Sequence, residues 1–145
     1  MNIRKADASD ESPIIDFLNQ FPPSDRMSSD LEAINSTFRR IIQNSERGSI
    51  LIAKDNGDIV GTIALSFNTA MYGSGPYANI EDLIVAEQAG WKEVGGDLVR
   101  AAIDEAIKKG CHEIQVKNPS DLGYPAYLSC GLTSTGRNLR LKLKH

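Results

Sequence analysis

Cysteine and histidine are both scarce in this sequence: its 145 residues include only Cys111, Cys130, His112 and His145. Two cysteines are too few for a disulfide framework, so we expect a chain that works in a reducing compartment, the cytoplasm. The histidines, thiols and scattered carboxylates do not have the spacing of metal ligands, and we expect no metal site. Cys130 lacks a partner histidine in any recognised arrangement, which argues against a cysteine nucleophile.

Long apolar runs are also missing. No stretch approaches the ~20 apolar residues that a membrane helix needs, and the first residues lack the apolar segment of a signal peptide. The net charge of −3 predicts no general affinity for nucleic acid. Basic residues near the C-terminus alternate with leucines, a pattern more typical of a solvated sheet face or a protected edge. These basic residues are Arg137, Arg140, Lys142 and Lys144.

The remaining composition is that of a globular protein, and we expect one domain over residues 1–145. Apolar residues make up 41% of the chain, which is ordinary, and the length is sufficient for a core. Periodicity predicts a strand at 3–6, helices from 13 and over 29–44, strands at 49–54, 58–68 and 79–85, a helix at 95–109, a strand at 112–117, a short helix at 121–130 and a closing hairpin at 132–143.

This order predicts a mixed α/β fold, of the α+β kind. Helices should cover both faces of a central, mostly antiparallel, twisted sheet of about six to seven strands. Ser12 is expected to cap the first helix, and Asn56 with Gly57 to form a hairpin turn. Gly61 is a candidate β-bulge.

The stretch from residue 79 to residue 110 is the candidate functional segment. Its first part is a short, apolar, β-prone strand, and its last part has apolar residues at helical spacing up to Gly110. A polar loop that contains Gly90 joins the two. A loop that leads into a helix can present free backbone N–H groups and the positive end of the helix dipole to an anion. The segment is therefore a candidate phosphate cradle.

This segment resembles the coenzyme A-binding core of the GNAT acyltransferase superfamily, whose strand runs into a loop of the form Arg/Gln-x-x-Gly-x-Gly/Ala. Aligned from Val85, the three signature positions fall on Gly90, Glu93 and Gly95, so one of the three is kept. Glu93 places a carboxylate where the resemblance implies a pyrophosphate, and Lys92 can partly offset that charge. The order of elements along nearly the whole chain is also similar to the family's.

The resemblance implies an N-acetyltransferase that moves an acetyl group from acetyl-coenzyme A to a primary amine of a small molecule or protein. It implies a cleft where the central strand and the strand after the main helix splay apart. The backbone N–H groups of Val94, Gly95 and Gly96 are expected to hold the pyrophosphate. The full set of expected cofactor contacts is Leu83, Ile84, Val85, Lys92, Val94, Gly95, Gly96 and Asp97.

Tyr127 and Glu81 are the expected catalytic residues. The segment around Tyr127 is similar to the family's Phe-Tyr-x-x-x-Gly-Phe, and a phenol with an ordinary pKa near 10 can protonate a leaving thiolate; the alternative is a packing tyrosine. Strand alternation should send Glu81 and Asp82 to opposite faces. Glu81 is the preferred base, and Asp82 is expected to be solvated or paired with a lysine.

A second interpretation remains open, in which a GNAT-like protein has lost cofactor binding and acts as a binding or regulatory module. Gly90 and Glu93 favour it, whereas Tyr127 and Glu81 favour the enzyme. Trp91 could stack on a ligand or plug the end of the sheet. The loops at 21–27 and 68–77 are expected to set acceptor specificity, and a homodimer is left open.

Overall fold

The computed structural model describes residues 1–22, 30–71, 73 and 75–143. Its strands are β1 (Asn2–Lys5), β2 (Gly48–Asp55), β3 (Asp58–Thr69), β4 (Pro76–Val85) and β5 (Ile114–Val116). Its helices are α1 (Glu11–Leu18), α2 (Leu31–Gln43), α3 (Gly96–Lys108) and α4 (Tyr124–Ser129). Among the helices described, none is both long and apolar enough to cross a membrane.

The five strands form one sheet in the order β1-β2-β3-β4-β5. Neighbouring strands are antiparallel except β4 and β5, which are parallel. The fold class is as predicted, but the strand number is not, because residues 133–143 contain no strand and are exposed throughout. The predicted closing hairpin at 132–143 is therefore wrong: the segment has the alternation of a strand, but no strand of its own sheet pairs with it.

Local signals predicted the hairpin turn correctly and the first helix cap wrongly. Asn56 and Gly57 join β2 to β3 with φ of 52° and 85°, a conformation that suits these two residue types. The residue before α1 is Asp10 and not Ser12. Its carboxylate accepts from the backbone N–H of Asp7 at 2.8 Å and also from the guanidinium of Arg4.

Alternation along the sheet divides the core between two helical layers. On one face, Leu51 and Ala53 pack with α3 and α4. On the other face, Ile50 and Ile52 pack with α1 and α2. Helices therefore cover both faces, as predicted.

The approach of α3 to the sheet explains why Gly61 is glycine. A Cβ at this position would lie 2.8 Å from Cδ1 of Leu98, so any larger residue would push the helix away. A bulge does occur here, because Ala53 pairs with Gly61 whereas Lys54 pairs with Ile59. The extra residue is Val60, which lies between Ile59 and Gly61 in β3.

Candidate active site

The sheet opens between β4 and β5. The two strands pair only along residues 78–80, whereas β4 continues to Val85, so its last part has no partner on this edge among the described residues. The N–H of Ala86 donates to the carbonyl of Val60 at 2.8 Å, toward β3. Alternation then turns the peptide groups of Leu83 and Val85 into the gap. An extended ligand with amide groups could pair with them as an added strand would.

Ile84, which was also expected to contact the cofactor, is placed differently. It pairs with Thr62 of β3, so its own peptide groups are turned away from the gap. Its side chain is buried and faces α1 and α2.

A bulge in β4 changes which side chains face the site. Ala64 pairs with Asp82, but the next residue pair is Leu65 with Ile80, so Glu81 is an extra residue in the strand. A bulge interrupts the alternation of side chains. Because of this bulge, the side chains of Glu81 and Asp82 need not point to opposite faces, as alternation predicted.

The surroundings of the two carboxylates place them on the same face. Ser66 follows Ala64 by two residues in β3 and so lies on the same face. Its hydroxyl donates to the carboxylate of Glu81 at 2.6 Å, while Ala64 and Asp82 line one cavity on that face. The expected separation of Glu81 and Asp82 is thus wrong, and the cause is the bulge, which local alternation does not reveal.

Asp82 is the more perturbed of the two carboxylates. It is half-buried, and burial raises its pKa to about 6, with a further contribution from the charge of Glu81. This is not the solvated or lysine-paired group that the sequence predicted. A carboxylate with a pKa near 6 is ionised at neutral pH and is a stronger base than an ordinary aspartate.

Tyr127 lies in α4 and is 5% exposed, packed in the core on the α3 face. Burial, with a smaller contribution from the charge of Asp82, raises its pKa to about 12. The expected ordinary pKa near 10 is wrong because the hydroxyl is buried; the phenol stays protonated at physiological pH and is a reliable hydrogen-bond donor.

The loop after β4 becomes helical at Trp91, before the adjacent glycines Gly95 and Gly96. A π-helical turn over Trp91–Gly95 leads directly into α3. The N–H of Val94 donates to the carbonyl of Gly90 at 3.1 Å, and the N–H of Gly96 donates to the carbonyl of Glu93. Two of the three N–H groups expected to hold a pyrophosphate are therefore already used.

The free donors lie one turn earlier. In a helix that starts at Trp91, the N–H groups of Trp91, Lys92 and Glu93 have no acceptor within the helix. The side chains of Lys92 and Glu93 are both exposed beside them. The preceding Gly90 has φ of 86°, a conformation that favours glycine and accounts for the residue found at the family's arginine position.

Asp97 and Gly95 have other partners. The carboxylate of Asp97 forms an ion pair with Arg100 at 2.6 Å. A Cβ on Gly95 would lie 3.5 Å from Cβ of Ala126 in α4, so α4 packs closely on this turn.

Trp91 packs against the same helix. A Cβ built on Gly123, the residue before α4, would lie 3.4 Å from Cζ3 of Trp91 and 3.3 Å from Cε2 of Tyr127. The indole thus lies between the first turn of the main helix and the start of α4. This position favours the interpretation in which Trp91 closes the end of the sheet over the one in which its ring stacks on a ligand.

A cavity of about 180 Å³ lies between α1, α2 and the sheet. Its lining is mostly aliphatic, and Asp82 is its only charged residue among those described; Thr37 and Thr62 contribute hydroxyls. The sequence does not predict this cavity, because apolar stripes on two helices indicate a packed core equally well. Of the loops expected to set specificity, residues 23–27, 72 and 74 lie outside the described part of the chain.

No three of the described histidine, cysteine, aspartate and glutamate side chains are grouped so that they could hold a metal ion. The two groups with perturbed pKa values near the open part of the sheet are instead a carboxylate and a phenol: Asp82 lines the cavity on the α1 and α2 face, and Tyr127 packs in the core on the α3 face.

Comparison with known proteins agrees with this geometry. Residues 13–131 match the acetyltransferase (GNAT) family. The chain is 32% identical over 120 residues to YhfO of Bacillus subtilis (strain 168), an uncharacterised N-acetyltransferase, with 81% of this chain and 80% of that protein covered.

Two solved structures are similar over nearly their full length. The crystal structure of a probable acetyltransferase superposes with a TM-score of 0.86 at 18% identity, covering 100% of this chain and 99% of the other. A protein of Clostridium acetobutylicum described as a predicted acetyltransferase, solved with acetyl-coenzyme A, superposes with a TM-score of 0.78 at 22% identity, covering 97% of this chain and 95% of the other.

Proposed function

Because the chain belongs to the GNAT acetyltransferase family and is an acyltransferase, we propose that it moves the acetyl group of acetyl-coenzyme A to a primary amine, in the cytoplasm. The observation that carries the proposal is the part of β4 beyond Ile80, which contains Asp82 and has no partner on the β5 side among the described residues. Asp82 is a half-buried carboxylate with a raised pKa, and its charge contributes to the raised pKa of the buried Tyr127 phenol in α4.

The donor would lie along the gap between β4 and β5. The peptide groups of Leu83 and Val85 are available to the amides of its pantetheine arm, in the manner of strand addition. The free N–H groups at Trp91, Lys92 and Glu93 and the helix dipole suit its pyrophosphate. The Lys92 ammonium adds attraction, and the Glu93 carboxylate opposes it.

The reaction then needs one base and one proton donor. The amine nitrogen attacks the thioester carbonyl carbon, a C–N bond forms, and the carboxylate of Asp82 takes the proton that the nitrogen loses. The C–S bond breaks and the electron pair goes to sulfur, where the Tyr127 hydroxyl donates a hydrogen bond and supplies the proton. We propose Asp82 as the base in place of Glu81, because Asp82 is the more buried carboxylate and lines the cavity between the helices and the sheet.

The competing interpretation, a binding module without catalysis, is supported by Glu93 and Gly90 in the altered loop. Calorimetric titration with acetyl-coenzyme A separates the two. Binding together with amine-dependent release of free coenzyme A supports the enzyme. If no binding occurs at millimolar ligand, the gap does not hold the donor and the enzyme proposal fails.

The role of Tyr127 has its own test. Tyr127→Phe should lower turnover by about 10²–10⁴-fold, the usual contribution of one proton donor, with acetyl-coenzyme A affinity nearly unchanged. Tyr124→Phe is the matched control, since Tyr124 belongs to the same helix and is 41% exposed. Equal turnover in both variants would return Tyr127 to a packing role.

A further inference from the structure

The residues that line the cavity between α1, α2 and the sheet limit the chemical class of amine that could be the acceptor. We infer that the acceptor is a primary amine with a compact apolar body, an aliphatic or arylalkyl amine, with its nitrogen at Asp82 and its body between the two helices. This inference rests on the proposed acetyl transfer. It concerns only the described lining residues.

The chemistry of the described lining residues disfavours the other common classes of amine. A phosphorylated or carboxylated amine needs a cationic partner for its anion, and the described lining contains none. A polyamine or amino sugar needs several carboxylates or hydroxyls, and here one carboxylate and two threonines share a cavity that is otherwise aliphatic. An uncompensated polar group in such a place is costly, whereas an apolar body of matching size is favoured.

The cavity is also the right place for the amine. Asp82 lines it and belongs to the part of β4 that extends beyond the pairing with β5. The single carboxylate therefore lies where the apolar cavity borders the open part of the strand. A protonated amine would be drawn to that end, and its apolar body would fill the remainder.

The test measures coenzyme A release with 2-phenylethylamine, hexylamine, spermidine and glucosamine 6-phosphate. We expect kcat/KM for the first two to exceed that for the last two by at least tenfold. Ala64→Leu, which narrows the cavity, should raise KM for 2-phenylethylamine several-fold, whereas Glu32→Gln, on the exposed side of α2, should not. A preference for spermidine or the sugar phosphate overturns the inference and leaves the proposed function standing. If no amine reacts, the proposed function fails with it.

Discussion

We expect the Asp82 carboxylate to lower the free energy of unfolding while it supports turnover. Replacing Asp82 with asparagine should reveal both effects. Its pKa is about 6 against an ordinary 3.8, and one pKa unit corresponds to about 1.4 kcal/mol. Keeping the charged form in this half-buried position therefore costs about 3 kcal/mol above pH 6, as an upper value. Because the folded state holds the proton more tightly, stability falls as pH rises from about 4 to about 6 and is level above that.

Asp82→Asn should thus raise the free energy of unfolding at pH 8 by about 2–3 kcal/mol and change it little at pH 4. Turnover should fall by about 10²–10⁴-fold, because the base is gone. Urea unfolding of both proteins at pH 4 and pH 8 measures the first effect, and kcat/KM against pH measures the second, with a limb near pH 6 in the original protein. A stability difference that does not depend on pH would refute the reasoning.

Three further outcomes follow from the structure. Glu93→Gln should tighten acetyl-coenzyme A binding several-fold at low salt and less at high salt; weaker binding in calorimetry would mean that this carboxylate points away from the phosphates. Asp10→Asn should cost about 1–2 kcal/mol at pH 7, because Arg4 holds the pKa of Asp10 at about 2, and the loss should vanish as pH falls from about 4 toward 2. Gly61→Ala should cost about 1–3 kcal/mol in urea unfolding, because the new Cβ would meet Leu98 at 2.8 Å; an unchanged midpoint would mean that α3 shifts freely.

Local chemistry made the elements predictable. The turn at Asn56 and Gly57 and the apolar stripes of the helices depend on residues close together in the sequence, and their positions agree with the structure. The same alternation failed at Glu81, because one extra residue in β4 is accommodated through pairing with β3, which lies far away in the chain. The choice between Glu81 and Asp82 therefore could not be made from the sequence.

The start of α3 at Gly96 agrees with the helix predicted from residue 95. The sequence did not predict the π-helical turn over Trp91–Gly95 that precedes it, because that turn packs against α4, a segment distant in the chain. For Leu139 and its neighbours the pattern is that of a strand, but what a strand pairs with is a property of the tertiary structure.

The open edge of β4 should also affect the rates of amide hydrogen exchange along the strand. Amide hydrogens bonded within a sheet exchange slowly with solvent deuterium, and unpaired ones exchange quickly. Along β4 the amides of Asp82 and Ile84 face β3, whereas those of Leu83 and Val85 face the gap, so fast and slow exchange should alternate residue by residue. A donor bound in the gap would slow hydrogen exchange only at the amides of Leu83 and Val85. The exchange rates of these two amides would therefore report how long the donor stays bound.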